Sequence, residues 1–234
     1  MAAVEFNYSP LKQSSGLVGY WKLEDVNDSK GSNTFTNTGT VAFNAAKFNN
    51  GADTGASNSS KYLHVSNNLG IDGGNITIVG WFKQSGSAGE AAIVQQTSAN
   101  NHVYNAIFTN WSGTTNRLAF ARGRYNTATD ALLVDQDLGT SVFHQLAMTY
   151  DGTNIRGYID GSLVGTPTAS SGNGASGGSD SFNIGQYISS SGAGGDWWGG
   201  IADDVAVFSR ALTNTEIANL YNGGWNSSML LMFK

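Results

Sequence analysis

The sequence predicts an all-β fold, a two-sheet sandwich or a barrel, and three observations predict it. Short apolar segments with period-two alternation, or with continuous β-branched and aromatic content, recur along the chain and are bounded by Gly, Asn, Ser and Asp. Glycine occurs 31 times and proline twice, so turns are plentiful while strand interiors stay unbroken. The length, 234 residues, is one that a single sandwich fills.

The strands are expected over Leu17–Leu23, Tyr62–Ser66, Asn75–Lys83, Ala91–Gln96, Val103–Thr109, Arg117–Arg122, Ala131–Asp135, Val142–Tyr150, Asn154–Ile159, Ser181–Gln186 and Ile201–Phe208. Between the runs NIRGYI and SLVG stands Asp160-Gly161, the composition of a two-residue type I′ hairpin turn whose central positions both need positive φ. Thr213-Asn214-Thr215-Glu216 reads as a capping box, with Ile217, Leu220 and Tyr221 at helical spacing behind it and Gly223 as the stop. One short helix near the C-terminus follows. Thr166–Ser181 and Ser189–Gly200 are rich in Gly and Ser and are expected as long loops. Met1–Ser15 and Trp225–Lys234 fall outside the patterned region and are treated as tails around one domain, residues 16–224. The second tail contains the apolar run MLLMF, which needs covering. Trp21, Trp81, Phe82, Phe143, Leu146, Met148, Tyr158, Ile184, Val205 and Val207 are the core candidates.

Composition narrows the functions. Charged residues are 12% of the chain, against roughly a quarter in an average soluble domain, so the surface is built from Ser, Thr, Asn and Gly. Twelve Lys and Arg against 17 Asp and Glu give a net charge of −5 without a basic run, which argues against nucleic acid as a partner. There is no cysteine, hence no disulfide, thiolate metal site or thiol nucleophile. No apolar run approaches the ~20 residues of a membrane helix, so membrane insertion is not expected. Residues 1–12 carry no basic segment followed by an apolar one, so no secretory signal peptide is expected in this sequence.

Carboxylate-pair catalysis is not expected. Glutamate occurs only at Glu5, Glu24, Glu90 and Glu216, and no two share a strand at alternate positions. Asp203 and Asp204 are adjacent, and a regular strand would point them to opposite faces. His64, His102 and His144 lie near no serine elbow, and His144 is expected to be a hydrogen-bonded packing residue.

Several segments in order, GLVGYWKLED, NITIVGWFK, VFHQLAMTYDGTNIRGYIDGSLVG, FNIGQ and WWGGIADDVAVFSRALTNTEIANLYNGG, resemble laminin G-like domains of the concanavalin A-like lectin/glucanase superfamily over about residues 16–224. The resemblance implies an antiparallel two-sheet jelly-roll sandwich, often with a structural calcium, in a superfamily of lectins, adhesion modules, virion proteins and some glycoside hydrolases. It would bring LEDVNDSKGSN and ADDV together at one edge. Glu24 and Asp204 are then the expected calcium ligands, with Asp28 and Asn33 nearby, against the alternative that Asp28 only closes a turn.

A ligand surface is expected to be aromatic, because sugar rings pack their C–H faces on exposed rings. The resemblance turns Trp198 inward and leaves Trp197 free. Trp197 and Trp111 are expected to be exposed, with Asn110, Tyr125, Arg122, Arg124 and Asp196 as polar company. The leading expectation is a non-catalytic glycan-recognition or adhesion module, extracellular or on a virion surface, with a cell-surface glycan as partner. A virion structural protein whose tails bind neighbouring copies or other surface-assembly proteins is the alternative, and a glycoside hydrolase the third.

Overall fold

The computed structural model describes residues 15–57, 59–67, 69–71, 74–86, 89–98, 102–123, 129–171, 181–188 and 194–224. Its strands in chain order are β1 (Leu17–Trp21), β2 (Thr36–Thr38), β3 (Ala42–Ala45), β4 (Asn50–Asp53), β5 (Tyr62–Val65), β6 (Ile76–Gln84), β7 (Ala91–Ser98), β8 (His102–Thr109), β9 (Arg117–Gly123), β10 (Thr129–Asp135), β11 (His144–Tyr150), β12 (Asn154–Ile159), β13 (Ser162–Ala169), β14 (Ser181–Ile184), β15 (Gln186–Ile188), β16 (Gly194–Trp197) and β17 (Gly200–Phe208). They form two sheets. The first runs β13-β12-β11-β6-β17-β4-β3 with β1 also on β17, and the second runs β10-β9-β8-β7-β14-β5-β2 with β15 and β16 attached beside β7. All pairings are antiparallel except the single bridge between β16 and β7. This is the jelly-roll sandwich that the sequence resembles.

Alternation explains the core. Along β9, Leu118 and Phe120 face inward while Ala119 and Ala121 belong to a separate cluster on the outer face. Between the sheets Trp21 stacks on Phe182 at 5.4 Å and meets Phe35 at 4.7 Å, with its indole N–H donating to the Asn33 carbonyl at 2.7 Å. Trp198 is inward, 1% exposed and edge-on to Phe82. A second apolar layer lies on the outer face of the first sheet, where Trp81, Val79, Tyr158 and Phe208 are covered by α1 (Asn214–Asn219) through Ile217 and by Leu212 and Leu220. Trp81 and Tyr158 thus pack under the helix rather than between the sheets. Each such aliphatic side chain stabilises by roughly 1.5–3 kcal/mol on burial.

The local signals read from the sequence hold where they were sharp. Asp160 and Gly161 have φ of 50° and 76°, and Ile159 pairs with Ser162 across them, the geometry of the expected hairpin. Thr213 accepts from the Glu216 N–H while the Glu216 carboxylate accepts from the Thr213 N–H, closing the capping box. His144 is a packing residue: its Nδ1 lies 2.7 Å from Asp160 Oδ2 and its Nε2 lies 3.0 Å from the Leu138 carbonyl. The expected loops are shorter than read, because β13 continues to Ala169 and β16 occupies part of Ser189–Gly200.

Candidate functional site

The turn from β8 to β9 carries Trp111 at its tip. Three non-glycine residues in this short segment adopt the left-handed conformation, Asn110 (φ 53°), Ser112 (φ 55°) and Asn116 (φ 61°). Asparagine tolerates it, but serine does so at a cost of order 1–3 kcal/mol, which surrounding contacts must hold in place. Those contacts are present. Asn110 is buried, its Nδ2 donates to the Gly89 carbonyl at 3.0 Å, and its Oδ1 accepts from the Asn116 N–H at 2.9 Å. The Glu90 carboxylate accepts from the Ser112 N–H at 2.7 Å. The turn is therefore fixed before any ligand arrives.

Trp111 is partly exposed and rests on Phe108, ring centroids 4.8 Å apart. Tyr187, on β15, meets the same Phe108 edge-on at 5.3 Å, so two partly exposed rings flank a fully buried one. Around them the outer face of the second sheet is floored by Ala92, Ala106, Ala119 and Ala121. Tyr187 is placed by Gln95, whose side-chain amide brackets Ile188 by accepting from its N–H at 2.8 Å and donating to its carbonyl at 2.9 Å. Sequence reading missed Tyr187. An aromatic residue between a strand and a Gly/Ser segment was the available signal.

The other expected ligand residues separate. Trp197 on β16 is only partly exposed, and its Nε1 is buried without a partner. Arg122 is corrected outright. It lies on the inner face of β9, fully buried, with its guanidinium 3.8 Å from the Tyr150 ring centroid and donating to Asn105 Oδ1 at 2.7 Å, so it cannot accompany a surface ligand. Asn110 supports the turn from beneath rather than offering a free amide. Arg124 and Tyr125 lie outside the described residues; Gly123 and Thr129, which bracket them, stand at the opposite end of β9 and β10 from Trp111. The Asp196 side chain also lies outside what is described.

Of the four expected cation ligands, Asp28 and Asn33 are bonded to each other. Asp28 Oδ1 accepts from the N–H groups of Tyr20 (3.1 Å) and Lys30 (2.8 Å), and its Oδ2 accepts from the Asn33 N–H (3.3 Å) and Nδ2 (3.1 Å), so its lone pairs are spent on closing a turn. Glu24 accepts from the Asn50 N–H at 3.3 Å. Among the described residues no three His, Asp or Glu side chains converge to hold a metal ion. Asp28 is taken up by its own turn, while Glu24 lies near enough to Asp204 to raise its carboxyl. Replacing chelator by millimolar calcium is expected to move the melting midpoint by less than about 1 °C, whereas an ion at a hundred times its Kd would add ~2.7 kcal/mol, several degrees for a domain of this size.

Asp203 and Asp204 depart from the strand rule. The register of β17 against β6 slips between Asp203 and Ala206, and Asp204 takes φ 46°, so a bulge inserts one residue. Ala202 and Val205 remain in the core, while Asp203 sits opposite Trp81 and Asp204 accepts from the Tyr20 hydroxyl at 2.5 Å, both on the outer layer. The adjacent carboxyls therefore share a face, contrary to expectation. Asp203 Oδ2 accepts from the Phe48 N–H at 2.7 Å and its Oδ1 is buried without a partner. Burial, reinforced by Asp204 and Glu24, pushes the Asp203 carboxyl up to about 8. Burial pushes Asp204 up to about 7, against the Tyr20 hydroxyl and Lys22 and with Glu24.

An unfolded aspartate has its ordinary value near 3.8, so between about pH 4 and pH 8 the folded chain holds protons that the unfolded chain has released. Stability must fall as pH rises through that window. At its acid end the trend reverses, because Arg156 holds Asp151 low despite burial, and Arg210 does the same for Glu216. Thermal melting in chelator is expected to show Asp203→Asn more stable than the native chain at pH 9, by about 1–3 kcal/mol, with the advantage shrinking steadily toward pH 4. An unchanged pH slope in the variant would contradict this account.

The molecule is a lectin-like β-sandwich. The chain belongs to the concanavalin A-like lectin/glucanases superfamily, through the laminin G-type family model that matches residues 54–218. Domain 4 of AbnA, an extracellular arabinanase from Geobacillus stearothermophilus, solved in complex with arabinotriose, superposes with a TM-score of 0.70 at 16% identity, covering 89% of this chain and 100% of that one. The binding domain of botulinum neurotoxin DC, solved in complex with SialylT, gives a TM-score of 0.68 at 16% identity over 91% of this chain and 52% of that one. A structure of botulinum neurotoxin type C, whose cell entry depends upon two ganglioside molecules, gives 0.69 at 15% identity over 91% and 51%. The chain thus spans about half the length of the neurotoxin chains, and at these identities the likeness is one of fold. No curated protein sequence matches the chain.

Proposed function

We propose that the protein is a non-catalytic glycan-recognition module whose sugar ring stacks at the Trp111 turn, with Phe108 beneath and Tyr187 beside it. One observation carries this reading: a partly exposed tryptophan is held at the tip of a turn whose left-handed residues are locked by buried Asn110 and by Glu90. Preorganised aromatic platforms of this kind lose little entropy on binding. The arabinotriose and SialylT held by structures of the same fold support it.

Hydrolysis needs two carboxyls open to the sugar and facing each other. Here Glu90 is engaged by the turn, Glu216 by the helix cap and Arg210, and the Asp203–Asp204 pair is buried. Adhesion on an extracellular surface is the setting this reading implies, and no described helix is long and apolar enough to cross a membrane. The virion-assembly alternative rests on the two tails, which lie almost entirely outside the described residues. A strict monomer in light scattering, with and without those tails, would remove it. A glycan array followed by calorimetric titration tests the main reading. Saturable binding without release of reducing sugar is expected, and a flat response to every glycan at millimolar concentration would overturn it.

A further inference from the structure

The reading above leaves the chemical class of the glycan open, and the distribution of charge narrows it. We infer that the Trp111 platform takes uncharged glycans and discriminates against those bearing carboxylate or sulfate.

The strands at the centre of the second sheet carry no Lys or Arg of their own. No Lys or Arg occurs anywhere in residues 84–116, which supply β7, β8 and the Trp111 turn, nor anywhere in residues 157–209, which supply β14, β15 and β16. The neighbouring strand β9 carries two arginines, one neutralised by an ion pair and one turned inward. Arg117 is held by Asp135, with Nε donating to Oδ1 at 2.7 Å and Nη2 to Oδ2 at 3.2 Å, and Arg122 is turned into the core. Lys61 stands before β5, separated from β8 by β14 and β7, with its ammonium against Gly55.

What the platform does hold is acidic or neutral. Glu90 is fixed at the turn, and Ser112, Thr114, Thr115 and Asn116 supply hydroxyls and an amide. Such groups match sugar hydroxyls. A sialate, uronate or sulfate stacked on Trp111 would give up part of its hydration beside the Glu90 carboxylate and on a chain of net charge −5, where the described guanidinium on that face, Arg117, is already neutralised by Asp135.

The test is calorimetric titration of the full chain with matched pairs that differ by the acidic group: lactose against 3′-sialyllactose, and a neutral galactan trimer against a galacturonic acid trimer. The neutral member is expected to bind at least about tenfold more tightly in each pair that binds at all. The gap should narrow in Glu90→Gln, which keeps an acceptor for the Ser112 N–H, and in high salt, which shortens the reach of Glu90. An acidic member that binds as well as or better than its partner overturns this inference while leaving the glycan reading standing. Silence from every pair overturns both.

Discussion

Trp111→Ala is expected to weaken glycan binding at least ten- to thirtyfold while leaving a folded chain. Truncating a central aromatic anchor typically costs about 2 kcal/mol or more of binding. The loss of folding stability should be smaller, ~1–2 kcal/mol, because the ring is partly exposed and packs on the outer-face cluster from one side. Trp111→Phe keeps a ring on Phe108 and should recover part of the affinity. Tyr187→Ala, on the other flank of Phe108, should weaken binding as well. Binding that survives Trp111→Ala in a folded variant would move the site elsewhere on the sandwich.

Arg122→Ala should produce the largest stability loss of any single change considered, about 3–5 kcal/mol, or roughly 6–20 °C in the melting midpoint. The guanidinium fills space against Tyr150 and satisfies Asn105 Oδ1, whose amide in turn donates to Gln96 Oε1 at 2.7 Å. Removing it opens a cavity and strands a buried acceptor in one step. Arg122→Met restores the volume without the charge and should recover part of the loss. Below the melting range both variants should bind glycan per folded molecule as the native chain does, which separates a core arginine from a ligand-contacting one.

How far the fold was legible follows from the same residues. The long strands β6, β11, β12 and β17 announce themselves because each carries enough alternating or continuous apolar residues to define a face. The strands β2, β3 and β4, with sequences TNT, AFNA and NGAD, carry no such pattern; they are strands because β5 offers an edge to β2, and β17 offers one to β4, which in turn pairs with β3. The bulge at Asp203–Asp204 is a tertiary decision that strand periodicity alone does not show. Arg122 is a different case. Leu118, Phe120 and Arg122 share one face by simple alternation, so the inward position was readable, and its charge argued the other way only because its partners Asn105 and Tyr150 are distant in the chain.

The site was half legible for a comparable reason. The run NWSGTTN marks a turn with a tryptophan at its tip, and that much stood in the sequence. That Tyr187 also reaches Phe108 depends on β15 lying beside β7 and on Gln95 clasping Ile188. The calcium expectation located the carboxyls without their hydrogen-bond donors: Asp28 is already saturated by its own turn.

The indole N–H resonances of the six tryptophans, followed by two-dimensional NMR during titration with a bound neutral oligosaccharide, test the central claim most directly. The Trp111 indole is expected to shift and saturate with the binding curve, while those of Trp21, bonded to the Asn33 carbonyl, and Trp198, sealed in the core, hold their positions. A saturable titration in which the Trp111 indole stays still would contradict the account.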